Sequence, residues 1–125
     1  MAMNLSRITD KHRANLEKVV RGSVFRVGAQ IESKSPVDTG LFRSNWMPNV
    51  GGIDKSTTTN SSRNSSLALK EEVAGFRMGN TFYFTNNLPY ARMLEFGGSN
   101  QAPNGMVRLA VRNIQRYVNE EIRKL

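Results

Sequence analysis

The chain has 125 residues and no cysteine, which fits one domain of ordinary size and excludes disulfides and thiolate metal sites. With 38% apolar residues and a mean hydropathy of −0.47, the expected core is small and part of the stability is expected from subunit contacts. No run reaches the ~18 apolar residues of a membrane span.

The net charge of +8 is uneven: residues 1–34 carry seven basic and three acidic side chains, residues 103–125 five and two, and the middle six and five. Such a distribution suits a nearby polyanion or an acidic protein partner, and equally a solvated helix face. The opening MAMNLSRITDKHRANLEK lacks the apolar stretch of a signal peptide, so a soluble protein used without secretory export is expected.

In chain order, Leu16, Val20, Val24, Val27 and Ile31 recur at helical spacing. They predict a long first helix, capped at Thr9 or Asp10 or extended upstream through Leu5 and Ile8. Ser35-Pro36 ends it, because the residue before proline is pushed out of the α region. LFRSNWMPNV then alternates as a strand with Trp46 turned inward, closed by Pro48 and Gly51-Gly52. Residues 54–66, DKSTTTNSSRNSS, are almost wholly polar and predict a long flexible loop.

LALKEEVAGFRMGN reads as strand material with turns at Gly75 and Gly79-Asn80, and TFYFTNN as the best strand in the chain. After a turn at Asn86-Asn87-Leu88-Pro89, YARMLEFGG predicts a short helix stopped by Gly97. From Met106 onward Val107, Val111, Ile114, Val118 and Ile122 predict a long last helix, with Arg108, Arg112 and Arg116 as a ladder on one side. The fold class is α+β in a single domain, 1–125: a long helix, a small antiparallel sheet, a short helix, and a long helix packed on the sheet.

Asp38-Thr39-Gly40 is the tripeptide in which a dimeric aspartic protease presents its catalytic carboxylate. In such a protease the carboxylate leaves an apolar strand of an all-β fold; here IESKSPV precedes it, the end of an amphipathic helix. A turn is the simpler reading, with Asp38 and Thr39 bonding local N–H groups and Gly40 supplying permissive backbone. His12, the only histidine, lies between Lys11 and Arg13 without a partner for acid–base work. No phosphate-cradling glycine motif occurs, Glu71-Glu72 point to different faces, and no histidine or thiolate metal set exists. No catalytic, cofactor or metal residue is therefore assigned. Nucleic-acid binding is a stronger competitor, through the arginine ladder and the aromatics Phe82, Tyr83 and Phe84, although alternate members of that run face opposite sides.

Three segments in fixed order narrow the choice. They are SPVDTGLFRSNW after the amphipathic helix, then FTNNLPYARMLEFGG, then APNGMVRLAV opening the last helix. This set resembles the gene-product-ten-like tail components of lambdoid phages, related to tail-completion and neck proteins. The resemblance covers roughly residues 25–50 and 80–125. Pro36, Asp38, Thr39 and Gly40 fall on its first motif and Trp46 on the aromatic of the following strand. Asn87, Pro89, Tyr90, Ala91, Glu95, Phe96 and Gly97 fall on its second. The chain departs from the pattern at Leu41-Phe42-Arg43, in the insertion at 54–66 and in GGSNQAPNG.

The resemblance implies a non-enzymatic virion protein without cofactor, assembled in the host cytoplasm and placed at the head–tail junction. There a homo-oligomeric ring, six-fold to match a tail tube, would join the connector or stopper to the tube around a DNA channel, with no membrane involved. Two alternatives stand beside it: a tail terminator capping the tube, and a basic nucleic-acid-binding protein. Arg108, Arg112 and Arg116 would contact DNA or a neighbouring subunit.

Overall fold

A computed structural model describes residues 5–125, so the first four residues of the domain lie outside the described range. The order is α1 (Leu5–Lys34), α2 (Leu41–Ser44), β1 (Trp46–Val50), α3 (Ser65–Ala74), β2 (Phe82–Asn86), α4 (Ala91–Glu95), α5 (Val107–Arg112) and α6 (Ile114–Arg123). The class is α+β, with a long first helix, a two-stranded antiparallel sheet and a C-terminal helix packed against it.

Helix α1 is already formed at Leu5, the first described residue, and Thr9 donates back to the Leu5 carbonyl at 3.1 Å, so Thr9 is interior rather than a cap. The buried face is rotated from the predicted stripe: Val19, Ser23, Gly28 and Ile31 are buried while Leu16 is 52% exposed. Gly28 is a contact point, since a Cβ there would lie 2.7 Å from Leu69 Cδ2. Small size at this position is what lets α3 rest on α1.

Residues 41–44 are a helical turn, not the start of a strand, because Gly40 at φ +86° and Thr39, which accepts from Leu41 N–H, set a helix entry. The strand starts at Trp46 and pairs antiparallel with β2, Trp46 opposite Asn86 and Val50 opposite Phe82. Residues 65–74 form α3 instead of strand material. Asn64 caps it by accepting from Leu67 N–H at 2.9 Å, and Leu69 and Val73, one turn apart, supply its buried face. Ser65 and Ser66 thus leave the predicted loop and join this helix.

The core joins Ile31, Phe42, Trp46, Ala102, Met106 and Ala110. Trp46 stacks on Phe84 at 5.1 Å and meets Phe42 edge-on at 5.9 Å. Its indole N–H donates to Ser35 Oγ at 2.8 Å, which in turn donates to the Ile31 carbonyl. The last helix is interrupted at Asn113, giving α5 and α6, both packed along α1.

Candidate functional site

The two motifs that carry the resemblance meet at the loop between α4 and α5. Gln101 is the clip on the first: its side chain accepts from Val37 N–H at 2.8 Å and donates to Val37 O at 3.2 Å. A cavity of about 400 Å³ lies beside it, with Asp38, Thr39, Phe42, Tyr90, Leu94 and Gln101 in its wall. Pro36 is buried, Tyr90 packs on Phe42 at 6.1 Å, and Pro89 is exposed. The turn and the short helix therefore form one surface.

Glu95 is the clip on the second. Its carboxylate accepts from the backbone N–H groups of Met106 (2.8 Å), Val107 (2.9 Å) and Arg108 (3.0 Å). These are the free donors at the start of α5, so a residue eleven positions away caps the helix. Arg108 completes the clasp, its Nε donating to Glu95 Oε1 at 3.2 Å and its Nη2 to the Glu95 carbonyl. Burial alone would push the Glu95 carboxyl up. The three N–H groups and Arg108 outweigh it and hold the carboxyl below the usual range. Gly97, at φ +92°, turns the chain out of α4 as expected of a helix-ending glycine.

Asp38 is exposed and makes no side-chain hydrogen bond among the described residues; Thr39 alone of the pair bonds the turn. The arginine ladder also divides. Arg108 is held by Glu95 and lies 4.8 Å over the Phe96 ring, and Arg116 lies 5.2 Å over Tyr117 and 4.0 Å from Glu120. Arg112 stands exposed without an ion pair among the described residues. The Asn113 break puts Arg116 on a different helix from the other two.

Asn45, fully buried, went unnoticed in the sequence. Its amide donates to Leu41 O and Thr58 O and accepts from Thr58 N–H at 2.9 Å. Asn87, just after β2, does the same work from the other side, donating to Asp54 O at 2.8 Å and Ser56 O at 2.9 Å. The polar loop is thereby laced to both strands. Among the described residues no group of three or more His, Cys, Asp or Glu could hold a metal ion. Compared with protein-family models, curated proteins and solved structures, the chain matches none.

Outside these clips the surface is apolar in two places. Tyr90, Met93 and Phe96 follow at intervals of three along α4, with Met93 59% and Phe96 61% exposed. A groove of about 600 Å³ runs between α1 and α6, walled by Leu16, Val20, Val24, Val118 and Ile122. Beyond its end, residues 5–14 of α1 are exposed on every side.

Proposed function

We propose that the chain is a non-enzymatic structural protein of a tailed-phage virion, a tail-completion or neck component at the head–tail junction. In this reading an oligomeric ring of the chain joins the connector or stopper to the tail tube, around a channel for DNA. One observation carries the reading. The second motif spends the Glu95 carboxylate on an internal clip to α5 and turns Tyr90 and Phe96 outward beside the exposed Met93.

A docking surface fixes its backbone and exposes apolar area, as the segment from Tyr90 to Phe96 does. The open groove and the exposed first turns of α1 fit the same use. Neighbouring subunits would cover both.

Deletion of the gene from its phage is the test. Full heads beside complete, unattached tails are expected. Over-long tails would make the protein a terminator instead, and normal infectious particles would end the assembly reading altogether.

A further inference from the structure

The geometry points to a binding site for a phosphate-type anion between the first motif and the polar loop, separate from the docking surface proposed above. A cavity of about 240 Å³ there is lined by Arg43, Arg63 and the hydroxyl-bearing Ser61, Ser65 and Ser66. Neither guanidinium has a carboxylate within ion-pair distance among the described residues. Arg43 is anchored through Nη2 to the carbonyls of Ser33 and Ser35, and Arg63 through Nη1 to those of Ser44 and Trp46.

Those anchors fix both planar forks at the cavity while using one nitrogen of each. Arg43 Nε is buried and has no acceptor, while Arg43 Nη1 and Arg63 Nη2 make no hydrogen bond among the described residues and are left for a ligand. The ten-residue helix α3 starts at the same wall, adding the positive end of its dipole. Gly40 closes the pocket: a Cβ there would come within 3.0 Å of Ser61 O, so glycine lets the loop approach. Two carboxylates are near. Glu32, which burial pushes up toward the neutral form, accepts from Ser66 Oγ at 2.5 Å, while its Oε1 has no partner among the described residues. Asp54 is held low by Ser56 and by the charge of Arg63. Two fixed guanidiniums, the Ser61 hydroxyl and a helix start match a tetrahedral oxyanion bearing several acceptor oxygens.

The anion is a phosphate group, free or carried by a nucleic-acid backbone. Inorganic phosphate, and separately a short DNA duplex, would be titrated into the full chain at constant ionic strength while amide resonances are followed by NMR. Saturable shifts at Ser61, Arg63, Ser65 and Ser66 with phosphate are expected, and chloride at equal ionic strength should leave them unmoved. If DNA moves the same amides at concentrations at least tenfold lower, the source is the backbone; if only phosphate does, it is the free ion. Arg63→Gln should weaken binding at least tenfold. Because Arg63 also braces two carbonyls, Ser61→Asp is the second variant: its carboxylate enters the cavity, so phosphate binding should vanish with the fold intact. The absence of saturable shifts in the parent chain, or unchanged binding in folded Ser61→Asp, would overturn the site.

Discussion

Glu95 and Gly105 lie so close that a Cβ on residue 105 would stand 2.6 Å from both the carbonyl and the carboxylate of Glu95. Gly105 is also at φ +83°, a conformation other residues adopt only at a cost. The clasp on α5 therefore depends on a glycine at one place. Gly105→Ala should lower stability by about 2 kcal/mol or more, from strain plus displacement of the capping carboxylate. Denaturant unfolding measures it, and a loss under about 0.5 kcal/mol, the range of an ordinary surface change, would contradict the account.

Two carboxyls, the half-buried Glu95 and the buried Glu32, respond to pH in opposite directions. Glu95 is held below its ordinary value by its donors, so its contribution is present above pH 4.5 and is lost as pH falls through its lowered value. Glu32 is raised by burial: the folded state keeps the proton longer than the unfolded chain, so stability declines as pH rises from 4.5 through its raised value. Glu32→Gln removes the buried charge and keeps an acceptor for Ser66. Its Tm should exceed the parent's by a few degrees at pH 7 and match it below pH 4.5. A Tm advantage that persisted unchanged at low pH would refute this assignment.

Asn45→Ala should release the polar loop from β1. Three hydrogen bonds go, and the Thr58 N–H and carbonyl lose their partner while the Leu41 carbonyl keeps Ser44 Oγ, a cost of about 2 kcal/mol. Hydrogen exchange at Thr58 and limited proteolysis within residues 54–64 should both quicken, while exchange across α1 stays slow. A loop equally protected in the variant would show that Asn45 does not hold it.

Asp38→Ala separates folding from assembly. The side chain is exposed and unbonded, so stability should change by no more than about 0.5 kcal/mol. Complementation of a deletion phage, by contrast, should fail or fall sharply if the first motif faces a neighbouring subunit. A severely destabilised variant would return Asp38 to the role of a turn lock.

Those variants also mark what the sequence conceals. Helices α1 and α6 were legible because apolar residues repeat over many turns, and β2 because Phe82-Tyr83-Phe84-Thr85 admits little else. Helix α3 was hidden by the adjacent turn glycines, although Asn64 as cap and the Leu69–Val73 interval carried the signal. Alternation over residues 41–46 mimicked a strand where a single helical turn precedes one. The motif positions were readable as positions but not as contacts. Nothing local says that Glu95 reaches Met106, or that Arg108 leaves the ladder to meet it, because both are products of how α4 and α5 meet.

The sheet itself has a direction. Gly51 N–H bonds Thr81 O, so by the alternation of an antiparallel pair residues 46, 48 and 50 turn their backbone groups away from β2. On that outer edge Pro48 has no N–H to offer, and the Trp46 carbonyl is already taken by Arg63. An incoming strand finds no continuous row of donors and acceptors along β1. Any recruitment of extended chain from outside is thereby confined to the free edge of β2, giving the ribbon a single growing side.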